Sequence, residues 1–410
     1  MTRVRCLGLT FFALLLFSYP VSLRADFELI DAIQEFGEKR FVESKPSPLN
    51  LGPVRFHPRV RTKVTYDDNI LREDKDAKQD VVWNIQPGVI LELPIDTHQL
   101  TVGYEADMEV FSKSRDSTQN DQNQNFFVLA DMHFTDLYIN ILDKFSETSG
   151  RSGTTFTSRI PRYDHSIHPK IGYRWKRAIF EVGFRHFTRD FRRSVDDRLD
   201  FQNVEWTGVI YYDLFARLKA LVEYQFSQID YDDDFERNGH VNQIRVGLEG
   251  EVLPNLLVKV RVGPHLRDYE AIQKADFNSW VADLLVEYEM REDLTLEMSM
   301  GREAVEATFA DVNYYVKQIV RFGAEYEFWP KWALFSGAKF YRNNYSERAT
   351  LGSRTGFRRD NHYTASAGLR YKPNDRLQVE AAYEFARRTS NFSTFDYTEN
   401  RFSLTSLLSY

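Results

Sequence analysis

Lys317-Gln318-Ile319-Val320-Arg321-Phe322-Gly323-Ala324-Glu325-Tyr326-Glu327-Phe328 alternates without a break. Successive side chains of a strand point to opposite faces of a sheet. Gln318, Val320, Phe322, Ala324, Tyr326 and Phe328 therefore share one face, and Lys317, Ile319, Arg321, Gly323, Glu325 and Glu327 the other. The pattern recurs where Leu377, Val379, Ala381, Tyr383 and Phe385 interleave with Gln378, Glu380, Ala382 and Glu384. It recurs again where Leu100, Val102, Tyr104, Ala106 and Met108 interleave with Thr101, Gly103, Glu105 and Asp107. One face carries aliphatic and aromatic side chains, the other charges and glycines.

Working outward from these stretches, eighteen such segments are expected. They begin near residues 56, 79, 98, 122, 136, 162, 177, 200, 216, 240, 255, 277, 293, 314, 331, 360, 375 and 396. Their connections alternate in length. Tight ones fall at Pro94-Ile95-Asp96-Thr97, Thr135-Asp136, Lys176-Arg177, Pro254-Asn255, Arg291-Glu292-Asp293, Trp329-Pro330-Lys331 and Pro373-Asn374-Asp375. Long polar ones are expected at Ser112 to Asp121, Ser146 to Pro161, Arg192 to Asp200 and Asn343 to Asp360. Outer-membrane barrels have this asymmetry, with short periplasmic turns and long extracellular loops. The expected fold is an all-β, transmembrane antiparallel β-barrel of 16 to 18 strands over residues 54–410, with both termini periplasmic. A soluble propeller would instead repeat a blade motif every 40 to 50 residues or so, and no such motif recurs.

Composition agrees. Aromatic residues make up 15% of the chain, with 32 Phe and 22 Tyr, yet mean hydropathy is negative. In a barrel only alternate residues meet lipid, so an average hides the membrane face. The formal net charge of −7 argues against nucleic acid as a partner.

The N-terminus reads as a secretory signal peptide over residues 1–25: Arg3 and Arg5, then the apolar run from Leu7 to Phe17, then Leu23-Arg24-Ala25. The run is too short for a membrane-spanning helix, which needs roughly 20 apolar residues. The sole cysteine, Cys6, precedes that run and would leave with it, so neither disulfide nor thiolate chemistry is expected. Residues 26–53 are expected to form a separate periplasmic segment, a short amphipathic helix and linker, with a small plug in the barrel mouth as the sharper alternative. Phe27, Leu29, Ile30, Ile33 and Phe36 lie at helical spacing, followed by Gly37 and the Pro46-Ser47-Pro48 linker. At the other end Phe402, Leu404, Leu408 and Tyr410 alternate with Ser403, Thr405 and Ser409. That pattern resembles the terminal signal read by the barrel-assembly machinery, an expected partner together with outer-membrane lipid and lipopolysaccharide.

The chain carries no His-Glu-x-x-His and no Gly-x-Ser-x-Gly pattern. His165 and His168 fall on opposite faces of a strand. No catalytic, cofactor or metal site is therefore expected, and no nucleophile–base pair suggests a lipid hydrolase. Acidic clusters recur at strand ends: Tyr66-Asp67-Asp68-Asn69, Asp196-Asp197 and Tyr231-Asp232-Asp233-Asp234. Dense oxygen ligands can hold Ca²⁺ or bridge to lipopolysaccharide through divalent cations. The plainer expectation is a solvated rim, with Tyr66 and Tyr231 as interface-girdle aromatics.

The polar phase supplies the candidate pore lining. Its bases are Arg61, Lys63, Arg185, Lys219, Arg245, Lys259, Arg261, Lys317, Arg321 and Arg370. Its acids are Glu105, Asp107, Glu109, Glu181, Glu223, Glu249, Glu251, Asp283, Glu287, Glu289, Glu297, Glu325, Glu327, Glu380 and Glu384. A midplane Arg or Lys facing hydrocarbon costs roughly 2–4 kcal/mol, so these residues are expected to line an aqueous interior or to pair there.

Gly52-Pro53-Val54-Arg55-Phe56-His57-Pro58, followed by Tyr66-Asp67-Asp68-Asn69-Ile70, resembles a family of outer-membrane β-barrel porins often encoded beside exopolysaccharide or capsule genes. Glu399-Asn400-Arg401-Phe402-Ser403-Leu404 resembles that family's last strand. The resemblance covers residues 50–410 and carries over no catalytic residue. It implies export of an exopolysaccharide across the outer membrane, with polysaccharide and periplasmic export proteins as partners. A general or solute-specific diffusion porin, and a non-conducting barrel braced by ion pairs, fit the same residues.

Overall fold

The computed structural model describes residues 49–113, 121–149, 159–232, 237–271, 276–307, 312–351 and 354–410. The expected signal peptide and residues 26–48 lie outside them. The short strand β1 (Leu49–Leu51) leads into β2 (Val54–Asp67), β3 (Asp80–Ile95), β4 (His98–Phe111), β5 (Asp121–His133) and β6 (Leu137–Thr148). Next come β7 (Arg162–Trp175), β8 (Ala178–Phe191), β9 (Phe201–Phe215), β10 (Leu218–Tyr231), β11 (Gly239–Leu253) and β12 (Leu256–Tyr269). The chain ends with β13 (Phe277–Arg291), β14 (Leu294–Glu306), β15 (Tyr314–Trp329), β16 (Trp332–Leu351), β17 (Arg354–Asn374), β18 (Leu377–Ser390) and β19 (Tyr397–Ser409).

Each strand from β2 to β19 pairs antiparallel with its sequence neighbour. The last, β19, pairs with β2 from Arg401↔Asp67 to Ser409↔Arg59. The sheet is thus a closed eighteen-stranded barrel with β1 folded onto β2. Closure removes the sheet edges that hydrocarbon cannot satisfy. Pairing begins earlier than residue 54: Gly52, at φ +64°, reverses the chain so that Leu49 faces Phe56 and Leu51 faces Val54.

Two or three residues separate the strands at one end of the barrel. Asp96, Lys176, Asn255 and Lys331 take positive φ in those turns. The other end carries the long connections, with one exception. Asn343 to Asp360 is not a loop: β16 and β17 run 20 and 21 residues and project together as a hairpin. A register shift between Asn344 and Arg348 breaks the alternation there, which hides the strand from a period-two reading and moves its observed start to Arg354.

Where the ladders stop at the loop end, backbone N–H groups lose strand partners, and Asp and Asn side chains accept them. Asp200 takes Phe191 N at 2.7 Å, Asn238 takes Tyr231 N at 2.7 Å, Asp276 takes Tyr269 N at 3.0 Å and Asp396 takes Ser390 N at 2.6 Å. These acids and amides precede the next strand in every case, so the residue just ahead of each of these strands has a structural function.

Burial is inverted relative to a water-soluble sheet. On β11 the apolar Ile244 and Val246 are half exposed, whereas Arg245 between them is fully buried. Phe180, Val182, Trp206, Ile210, Val222 and Phe322 likewise face outward. Arg245 pairs in register with Glu223, and the charged phase continues around the interior. Val246→Lys, at the middle of β11 and 52% exposed, is expected to destabilise the barrel by about 2–4 kcal/mol. Urea unfolding in liposomes measures it, and no loss would mean that this phase does not face lipid.

Candidate functional site

The lumen wall follows from register alone. Glu181 faces Val209, Val209 faces Glu223, and Glu223 faces Arg245 across β8 to β11. Farther round, Arg261 faces Asp283, Glu287 faces Glu297, and Arg370 faces Glu380. Arg61, Lys63, Glu105, Asp107, Arg185, Lys219, Glu249, Lys259, Lys317, Arg321, Glu325 and Glu384 fall on the same inward phase through the pairings that link β2–β19. The pattern missed Arg59, Lys144, Lys170, Arg189, Arg267, Arg358, Arg388 and Arg401 on that phase. It missed the acids Asp164, Glu205, Glu303, Asp360 and Glu399 as well. In β7 the run Arg162-Tyr163-Asp164-His165-Ser166-Ile167-His168 is polar on both faces, so period two gives no direction there. The additions narrow the acidic excess of the interior.

Most of these charges meet across adjacent or next-adjacent strands. Arg245 donates to Glu223, which also accepts from Arg261 Nη1 at 3.3 Å. Arg261 reaches Glu249 at 3.2 Å, Lys259 lies 3.7 Å from Glu249, and Arg245 lies 3.4 Å from Asp283. Arg59 pairs with Glu105 and Arg401 with Glu384. Arg370 bridges Glu325 at 2.5 Å and Glu380 at 2.6 Å. Lys170 sits 3.4 Å from Glu181, whose other donor is the Tyr138 hydroxyl at 2.5 Å. The wall is therefore both charged and cross-braced.

Toward the loop end the inward positions become aromatic, and arginines lie over the rings. Arg189 covers Phe187 and Phe201, Arg237 covers Tyr231 at 4.2 Å, and Arg267 covers Tyr269. Arg358 lies over Tyr345 and Phe395, and Arg388 over Tyr397. Cation–π contacts strengthen when desolvated. Two arginines just ahead of strands, Arg159 before β7 and Arg237 before β11, reach inward to this belt. Arg159 donates to both oxygens of Glu109 on β4, at 2.5 and 2.8 Å. Arg237 donates to the Ala307 carbonyl and lies 3.6 Å from Glu306, which also takes the Tyr231 hydroxyl at 3.0 Å. Tyr231 is thus no girdle aromatic: it points inward and is buried. Tyr66 does face outward and donates to Gln79 at 2.7 Å. Burial, reinforced by Asp190, Asp197 and Asp232, pushes the Asp200 carboxyl up to about 6 at the rim.

The Tyr66-Asp67-Asp68-Asn69 motif meets Glu399-Asn400-Arg401 at the seam between the first and last barrel strands. Asp68 Oδ1 accepts Asn400 N and Oδ2 accepts Asn400 Nδ2, both at 2.7 Å. Asn69 Nδ2 donates to Thr398 O at 2.9 Å and to Glu73 O at 2.8 Å. Arg72 donates to Glu399 at 3.2 Å. The Asp68 carboxylate spends both oxygens on the last strand, so the motif closes the barrel. Among the described residues no three His, Cys, Asp or Glu gather as a metal site. His165, outward, hydrogen-bonds Asp143 at 2.7 Å.

Among solved structures the chain is similar to Pseudomonas aeruginosa OpdK crystallised with vanillate (11% identity, TM-score 0.47, covering 87% of this chain and 99% of that one). It is similar also to OccK5 (OpdH) of the same organism (11% identity, TM-score 0.48, 87% and 98%). A third is OccK2 (OpdF) in complex with glucuronate (10% identity, TM-score 0.48, 87% and 98%). No curated protein sequence matches the chain. The sequence profile of the family described as "Putative beta-barrel porin 2" matches residues 188–409. That match spans more than half of the chain, from the end of β8 to the last strand, and the protein belongs to this family of outer-membrane β-barrel porins.

Proposed function

We propose that the barrel is a narrow, solute-selective channel of the outer membrane rather than a wide conduit. The observation that carries this reading is the burial of the mid-height charges. Arg245 is 0% and Glu223 1% exposed, although both stand on the wall of a barrel whose strand number suffices for an aqueous channel. A broad water column would bathe them. Cross-strand pairing draws them together, and the inward reach of Arg159 and Arg237 narrows the path at the loop end. Outer-membrane lipid, lipopolysaccharide and the barrel-assembly machinery, reading β19, are its proposed partners.

Polysaccharide export is the second reading. The inward rings Phe187, Phe201, Tyr231, Tyr269 and Tyr345 suit stacking against sugars, but they are covered, so this reading requires the belt to open. Solute uptake into proteoliposomes across a size series separates the two. Entry of monosaccharides and exclusion of dextran is expected. Passage of dextran as readily as of glucose would overturn the narrow-channel reading, and passage of neither would favour a braced, non-conducting barrel.

A further inference from the structure

Two arginines stand on the inward face of β8, Arg185 and Arg189. Arg189 shows what such a side chain binds in this wall. Its Nε donates to Asp164 Oδ1 at 2.7 Å and its Nη2 to Oδ2 at 3.1 Å, the two-point grip of one guanidinium edge on a carboxylate. Arg185, the next inward residue but one, has the same edge without a hydrogen-bond partner among the described residues, at Nε or at Nη2. Its side chain is 3% exposed. Phe187 lies beside the guanidinium, its ring centre 5.6 Å away.

The wall around Arg185 does not supply the missing anion. Glu205 faces it across the β8–β9 ladder, yet forms no ion pair with it and takes a hydrogen bond from Thr207 at 3.3 Å instead. Glu181 serves Lys170 and Tyr138. On the other side His168 lies among Lys144, Lys170 and Arg185, so this sector holds three bases against Glu181 and Glu205. Gly183 lets His168 approach closely: a Cβ there would stand 3.3 Å from His168 Nε2. A buried guanidinium with an unfilled edge is costly to maintain.

We propose that Arg185 anchors a subsite for the carboxylate of a small solute on the lumen wall, with its Nε and Nη2 gripping the two oxygens. The proposal deepens the narrow-channel reading and rests on it, because the solute must reach mid-lumen and displace the side chains that cover Arg185. Lys144 and Lys170 make the surroundings positive, and the geometry of the unpartnered edge selects a planar carboxylate over a neutral sugar.

Titration calorimetry of the full chain in detergent micelles, with sodium gluconate as the carboxylate probe and methyl glucoside as the neutral one, tests it without requiring conduction. Gluconate is expected to bind saturably and methyl glucoside not to. Arg185→Gln should weaken gluconate about tenfold or more, the loss of a two-point charged contact. Arg185→Lys keeps the charge, and with it the wall, but loses the edge, so it should also weaken binding severalfold. Unchanged gluconate affinity in both folded variants overturns the subsite. So does equal binding of the two probes by the parent. If Arg185→Gln does not fold, Arg185→Lys decides. Arg185-dependent binding in a barrel that conducts nothing would keep the subsite and remove the channel, whereas conduction without such binding would do the reverse.

Discussion

Glu223→Ala should destabilise the barrel by about 3–5 kcal/mol, the cost of leaving buried charge uncompensated. Glu223 accepts from both Arg245 and Arg261, and its side chain is 1% exposed. Asp283, at 3.4 Å from Arg245 and a third exposed, can take over only part of that load. Urea unfolding of the liposome-embedded protein measures the effect. Glu223→Gln keeps an acceptor oxygen and the volume, and is expected to recover part of the loss. A Glu223→Ala protein as stable as the parent would mean that the mid-lumen is wet enough to solvate both arginines, which would favour a wider channel.

The seam gives the second large effect. The other barrel strand pairs are each joined by their own connection, but β2 and β19 meet from opposite ends of the sequence. Asp68 and Asn400 are separated by 332 positions and joined by two contacts of 2.7 Å. Asp68→Ala removes both and leaves Asn400 N without its side-chain acceptor, an expected loss of about 2–3 kcal/mol. Asp68→Asn retains one acceptor oxygen but sets an amide against Asn400 Nδ2, so it should fall between. The readout is the temperature at which the barrel loses its compact migration in detergent gels. A rim aspartate of the ordinary solvated kind would leave that temperature unchanged.

Much of this architecture is legible in the residues, for a physical reason. A membrane barrel imposes period two on every strand, so Gln318 to Phe328 reveals both a strand and its lipid face. Strand starts read from alternation lie within about two residues of those observed, except at β17. There the register shift near Arg348 breaks the alternation, so a projecting hairpin reads as a loop. Which residues share a face is readable for the same reason as the strands are. Which inward charges meet is not. Arg245 and Glu223 are neighbours only because the β10–β11 register places them so, and alternation is indifferent to a slide of two residues. Tyr66-Asp67-Asp68-Asn69 shows the limit most clearly. As a string it reads as a ligand cluster or a solvated rim, because its partner Asn400 is invisible until the barrel closes. Arg185 is the converse: it belongs to the predicted lining, but only the structure shows the edge without a partner.

The most direct test of the account is the single-channel conductance of the refolded barrel carrying one cysteine, at Ser299 on the inward phase of β14 or at Met300 on the outward phase, before and after a charged water-soluble thiol reagent. The account predicts current steps that the reagent reduces at position 299 and leaves untouched at position 300. Steps insensitive to modification at 299 but altered at 300, or no current from either protein, would contradict it.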